Sequence, residues 1–204
     1  MKVYAYDEDA KSVVGQQAEL VCAAPFPSMP LFFWGDDDGS KYHSAYFDEY
    51  PGIWTHGDYV MVTEHGGLIM FGRSDTTLNP GGVRIGTAEI YRRLDAMAEI
   101  DDSVIIGQSW NNDVRVILFV KMADDFELND ELIKKIKADI RANASPRHVP
   151  AKIIDCPDIP YTLNMKKVEL AVKKMVEGKE VKNKDALKNP EALDFFGSIE
   201  ELKS

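Results

Sequence analysis

The chain has 204 residues, with 24 Lys and Arg against 34 Asp and Glu and a formal charge of -10. A hydrophobic content of 45% allows a real core, while the charge excludes general binding to nucleic acid or an anionic membrane, since both need a basic face. No apolar run approaches the roughly 20 residues that span a bilayer, and the first ten residues lack the apolar stretch of a secretory signal, so the cytosol is the expected setting.

In chain order, the first seventy residues read as β-rich. Strands are expected at Val3 to Tyr6 and Ala18 to Ala24, followed by a hairpin from Tyr59 to Phe71 turned at Gly66-Gly67. The run Leu31 to Trp54 reads as a long packed loop with one short helix. Its Tyr42, Tyr46, Phe47, Tyr50 and Trp54 suggest a face packed on something else, exposed in isolation. Gly72 to Leu94 is the most informative stretch, because a polar turn with Asn79-Pro80-Gly81-Gly82 leads from a strand end into a helix. Paired glycines there admit positive φ and close approach of another molecule, although a hairpin and linker with incidental charges has the same spacing.

A helix follows from Thr87, taken as its cap, to about Met97, with Ile90, Leu94 and Met97 on one face. Ser103 to Trp110 and Val114 to Met122 are predicted to pair antiparallel through Asn111-Asn112-Asp113. The clearest helix runs from Asp130 to Ala144, where Leu132, Ile133, Ile136 and Ile140 recur at helical spacing and Glu131 can pair with Lys135. A strand at Ala151 to Cys156 and a helix at Lys167 to Val176, with Val168, Leu170, Val172 and Met175 facing inward or a partner, complete the pattern. From Lys179 the Lys-, Glu- and Asn-rich chain reads as a partly ordered tail that Leu187, Leu193, Phe195 and Phe196 could pin down. Cys22 and Cys156 lie far apart in apolar surroundings, and His43, His56, His65 and His148 are scattered, so neither a disulfide framework nor a metal site is expected.

Three motifs in order carry a resemblance. Trp54-Thr55-His56-Gly57-Asp58, then Gly72-Arg73-Ser74-Asp75 with Gly82-Val83-Arg84-Ile85 and Glu89, then Pro160-Tyr161-Thr162-Leu163-Asn164-Met165-Lys166 resemble the signatures of the adenylate-forming acyl-CoA synthetases. The wording from Leu78 to Tyr91, Ser145 to Ile154 and Asn189 to Leu193 is most similar to the acetoacetate-activating branch of that family, with the acetyl- and propionyl-CoA ligases as the nearest alternative. The family's upstream phosphate-binding loop has no counterpart between Met1 and Trp54. The chain is therefore expected to be a fragment, inactive alone, whose partner is the missing N-terminal adenylation domain; a non-catalytic module derived from such an enzyme is the rival.

The resemblance implies an α+β fold: a small β-rich remnant of the large ATP-binding domain at 1–74, a compact mobile lid domain with a mixed or antiparallel sheet at 75–178, and an extension at 179–204. It also implies the ligands and their residues. ATP, CoA and Mg would serve the full-length enzyme, with Mg as the phosphate counterion. Lys166 would be the catalytic lysine that stabilises charge on the α-phosphate; by itself, beside Lys167, it is a solvated charge. Asp58 would accept hydrogen bonds from the ribose, or else be a turn aspartate, and Arg73 would hold the same sugar from the other side. Asp75 would be the hinge between adenylation and thioester-forming arrangements. Gly82 would line the pantetheine tunnel, Arg84 would meet a phosphate or an interdomain carboxylate, and Lys137 would reach the CoA nucleotide or remain solvated. The family usually has glycine where Met165 stands.

Overall fold

The computed structural model describes residues 1–181 and 183–202. The chain divides into two compact units, Met1–Asp75 and Thr76–Ser204.

The first unit is an antiparallel meander of β1 (Val3–Tyr6), β2 (Gln17–Cys22), β3 (Trp54–Val62) and β4 (Leu68–Arg73), in that order. Ala5, Ala18, Leu20 and Val60 form its small core. Between β2 and β3 lies one helix, α1 (Ser40–Tyr46). The aromatics expected to be exposed here pack on one another instead: Tyr46 stacks on Trp54 at 3.7 Å, Tyr42 and Phe47 meet the same indole edge-on, and Tyr50 and Trp54 are buried. Within Leu31 to Trp54 the exposed aromatic side chains are Phe32 and Trp34, the latter 96% exposed. An aromatic run satisfies its own need for contact when a helix turn brings alternate rings onto one indole.

The second unit is built on a three-stranded mixed sheet. Strands β5 (Ile100–Trp110) and β6 (Asp113–Met122) pair antiparallel through a tight turn, and β7 (Lys152–Asp155) lies parallel beside β6. Asn111 and Asn112 both adopt positive φ, 49° and 59°, the mirror-image turn that matches strand twist and that asparagine tolerates. The apolar runs of β5 and β6 are nearly continuous because both faces are covered. Ile105, Val116, Leu118 and Val120 face one core with α2 (Thr87–Leu94) and α3 (Asp130–Asn143); Val104, Ile106, Ile117 and Phe119 face the other with α4 (Glu169–Val176) and α5 (Ala192–Gly197).

Helix α3 follows from its pattern. Leu132, Ile136 and Ile140 are buried one turn apart, the Asn129 side chain accepts from the Leu132 amide at 2.9 Å, and Asp130 and Glu131 occupy the positive end of the dipole. Lys135 pairs with Glu99 and not with Glu131, a contact across elements in place of one along the helix. Arg93 grips Asp139 with two bonds of 2.8 and 2.9 Å and so ties α2 to α3.

Two other local expectations give way. Gly86 is the N-cap of α2 and Thr87 is its first, buried residue, so the threonine caps nothing. Helix α4 begins at Glu169, because Lys167 is used in a bridge to Tyr161, and Leu170 is exposed while Val172 is buried. The largest departure is the stretch after Lys179. Leu187, Leu193, Phe196 and Leu202 are buried against β5, β6 and α4, with the Phe119 and Phe196 rings edge-on at 4.9 Å. At about 1.5–3 kcal/mol for each large apolar side chain covered, that burial outweighs the polar composition that suggested a loose tail.

Candidate functional site

In the first unit, the middle of β3 and the end of β4 bring three candidate residues together. Asp58 and Arg73 are direct cross-strand partners, and the guanidinium Nη1 donates to Asp58 Oδ1 at 3.3 Å and to the His56 carbonyl at 3.2 Å. His56 Nδ1 lies 2.7 Å from the other carboxylate oxygen. Arg73 Nε is also 3.5 Å from Asp75 Oδ1, so one arginine spans two carboxylates. Gly57 is needed here: its φ is 79°, and a Cβ would lie 2.7 Å from Arg73 Nη2. Its amide donates to the buried Glu19 at 2.9 Å, which ties β3 to β2 where their register is interrupted. His56 and Glu19 escaped the sequence reading; the only available signal was the histidine two residues before Asp58. Asp58 is largely covered, whereas Arg73 is half exposed. Such a rim offers a carboxylate acceptor and a planar cation to a polyhydroxylated ligand.

In the second unit, the bridge between Leu78 and Ile85 closes a loop whose tip is the single turn Pro80–Gly82. Gly81 and Gly82 have φ of 60° and 74°. The Gly81 amide donates to both oxygens of Asp113, at 2.9 and 3.1 Å, and Arg147 Nη1 donates to the Pro80 carbonyl at 3.3 Å. A Cβ on Gly81 would meet that guanidinium at 2.9 Å, while one on Gly82 would enter open space. The turn is therefore held on one side and open at Gly82. The exposed Arg84 follows on the same loop. Glu89 faces the buried His148, Oε2 to Nε2 at 3.2 Å, and His148 Nδ1 meets Ser145 Oγ at 2.8 Å. Lys137 donates to the Ala151 carbonyl at 3.3 Å.

Lys166 stands at the base of a small hairpin. Tyr161 bridges Lys167, the Thr162 amide donates to the Lys166 carbonyl at 2.9 Å, and the Lys166 amide donates to Thr162 Oγ1 at 3.1 Å. The lysine side chain is exposed. Met165 has φ 58°, the left-handed region that costs an ordinary side chain about 1–2 kcal/mol. The glycine usual at this place in the resembling family is explained by that conformation, and Met165 adopts it nonetheless.

Behind the hairpin lies a buried polar network that spacing did not reveal. Tyr91 Oη donates to Glu169 Oε1 at 2.5 Å and accepts the Ile105 amide at 3.1 Å. Glu169 also bonds Thr76 and Thr87, which flank the Gly81-Gly82 loop. Burial pushes the Glu169 carboxyl above its usual range against those hydrogen bonds, and burial with the neighbouring carboxylate pushes the Tyr91 phenol well up. Asp102 accepts from Tyr161 Oη at 2.7 Å and pairs with Lys167 at 2.7 Å. The segment that carries Lys166 is thus anchored on both flanks to the same core that positions the glycine turn. Both cysteines are buried, and burial drives the Cys156 thiol up to about 12, which leaves it inert. Concavities of about 530 and 500 Å³ lie around Glu99, Phe126 and Lys135 and are lined by none of these candidate residues.

No protein-family model matches the chain. Over its full length it is 55% identical to the acetoacetyl-coenzyme A synthetase of Rhizobium meliloti (strain 1021) and 50% identical to that of Xenopus tropicalis, covering 31% of each. The acetoacetyl-CoA synthetase structure from Streptomyces lividans superposes with a TM-score of 0.92 at 39% identity, over 99% of this chain and 31% of that one. A benzoate CoA ligase from Burkholderia xenovorans LB400 shares the fold at a TM-score of 0.68 and 20% identity. The chain thus spans about a third of the length of the curated relatives it matches. It belongs to the acetoacetyl-CoA synthetase family and corresponds to the C-terminal portion of those proteins.

Proposed function

We propose that this chain supplies the lid and part of the nucleotide rim of an acetoacetate-CoA ligase, which converts ATP, acetoacetate and CoA to acetoacetyl-CoA, AMP and pyrophosphate. The observation that carries the reading is Lys166, an exposed cation on a hairpin braced at both flanks, in a chain similar throughout to acetoacetyl-CoA synthetases. Attack of the carboxylate on the α-phosphate and departure of pyrophosphate gather negative charge on phosphate oxygens, and an ammonium held in place stabilises it. Asp58 would accept the ribose hydroxyls and Arg73 would hold the sugar edge beside it. Asp75, in the single turn Ser74–Thr76, would be the hinge. After the swing, the open side of Gly82 would face pantetheine, and Arg84 a phosphate or an interdomain carboxylate. Lys137, already bonded to a carbonyl, is the weakest of these assignments. Mg would arrive with the ATP phosphates, since no group of three potential metal ligands occurs among the described residues. The other partner is the preceding part of the ligase, which would hold the phosphate loop and the acyl pocket.

The test joins this chain to the preceding two-thirds of the Rhizobium meliloti relative. The isolated chain should give no acetoacetate-dependent exchange of pyrophosphate into ATP, and the chimera should give it. In the chimera, Lys166→Ala should lower exchange about 100-fold or more and leave transfer from supplied acetoacetyl-adenylate to CoA near its starting rate. Exchange by the isolated chain, or equal loss in both half-reactions, would overturn the reading.

A further inference from the structure

The segment from Ala186 to Asn189 lies along the lysine hairpin through one isolated antiparallel bridge. Thr162 bridges Leu187, the Leu163 amide donates to the Ala186 carbonyl at 3.0 Å, and the Lys188 amide donates to the Tyr161 carbonyl at 2.8 Å. Asn189 closes the arrangement. Its Oδ1 accepts the Tyr161 amide at 2.9 Å, and its Nδ2 donates to Asp158 Oδ2 at 2.6 Å and to the Ile159 carbonyl at 2.9 Å. Asp158 in turn is held by Lys121 of β6 at 3.2 Å. Beyond the strap, Leu193, Phe196 and Leu202 sink into the core under β5 and β6, so the strap is anchored beyond its own hydrogen bonds.

The consequence concerns the hairpin. Its own closure is short, with Met165 in an unfavourable conformation at the turn, and a two-stranded hairpin alone is marginal in water. A third segment bridged to it changes that. We propose that Ala186–Asn189 is a positioning strap for Lys166, with Asn189 as its bracket, and that the ammonium keeps its place only while the strap is docked. The inference deepens the reading of Lys166 as the adenylation lysine and rests on it for its effect on catalysis. Lys166 itself touches neither Asn189 nor the strap's backbone in the bonds described, so the action is through the loop. Three residues apart in the hairpin, the Leu163 amide has the Ala186 carbonyl as its acceptor, which makes it a direct reporter of docking.

Hydrogen exchange on the 204-residue chain, followed by residue-resolved NMR, tests the strap without any assay of activity. The Leu163 amide should be protected about 100-fold or more against the unstructured rate, as expected of an amide in a docked strand. Asn189→Ala should cut that protection about tenfold or more, while the Ile105 and Leu118 amides of the central strands keep theirs. An unprotected Leu163 in the unmodified chain would overturn the proposal even if the variant failed to fold. So would protection unchanged by Asn189→Ala.

The chimera then separates the two ideas. Asn189→Ala should lower pyrophosphate exchange about tenfold through the rate at saturating substrate, leaving transfer from supplied adenylate to CoA unaffected. If the loop loosens and exchange does not change while Lys166→Ala still abolishes it, the segment docks without positioning the lysine and the proposal is overturned; if Lys166→Ala also leaves exchange unchanged, the reading of Lys166 falls instead. If Lys166→Ala abolishes exchange while Asn189→Ala neither loosens the loop nor slows exchange, the strap fails and the lysine stands.

Discussion

At the scale of single residues, Glu169 is the group whose environment most departs from what its sequence neighbours imply. Burial favours its neutral form, so the folded chain binds its proton more tightly than the unfolded chain does. The stability this gives is complete below the unfolded value of 4.5 and is lost as pH rises through the raised folded value. Asp139 and Asp113 act the other way. The bonds from Arg93 hold the first below 3.8, those from the Val114 and Gly81 amides hold the second there, and their contribution is lost as pH falls through the lowered values. Glu169→Gln should therefore flatten the decline in urea midpoint as pH rises above 4.5 and leave the acid limb unchanged. Parallel curves for the two proteins would assign the decline to another group. Tyr91→Phe, which strips a buried carboxylate of a 2.5 Å bond and orphans the Ile105 amide, should cost about 1–3 kcal/mol in the same titration. None of this is visible in the sequence, because Tyr91 and Glu169 lie 78 positions apart and neither residue type marks a site.

At the scale of elements, legibility followed the local signals. The two long strands joined at Asn111-Asn112 and the capped helix α3 were readable because turn chemistry and periodicity act within a few residues. The start of α2 misled, since a threonine beside a glycine offers two caps and the choice went to the residue that left Thr87 free to be buried and to bond Glu169. The Gly81-Gly82 turn was recognisable, but its brace was not. Asp113 reaches it from the β5–β6 turn, 32 positions away, through a charge-assisted pair of bonds. Asp113→Ala should release the Gly81 amide and raise its exchange rate measurably, with the β5–β6 ladder unaffected. An unchanged Gly81 rate would show that the Leu78–Ile85 bridge alone holds the loop. The positive φ at Gly82 also bears on how the tunnel assignment is examined. Leucine there would combine obstruction with backbone strain, so asparagine, which tolerates the left-handed region, belongs beside it as a control.

For the whole molecule, the stretch after Lys179 separates composition from packing. Its charged residues describe a solvated tail, yet Leu187, Leu193, Phe196 and Leu202 complete one of the two cores of the second unit. A chain ending at Val181 should lose about 5 kcal/mol or more of stability in that unit, since four large apolar contacts are removed at about 1.5–3 kcal/mol each before relaxation. Thermal unfolding followed by near-ultraviolet circular dichroism should show the loss, and an unshifted midpoint would return the segment to the status of a tail. The motif order, the α+β character and the main elements were determined by the sequence alone, because periodicity, turn residues and family wording are written in short windows. Tertiary structure alone decided which charges meet, that Lys135 takes Glu99, that Arg73 and Asp58 touch, and that Asn189 brackets the lysine hairpin. Those pairings depend on which side chains each unit's own packing brings within a few ångströms, a proximity that spacing along the chain does not carry because the partners come from different elements.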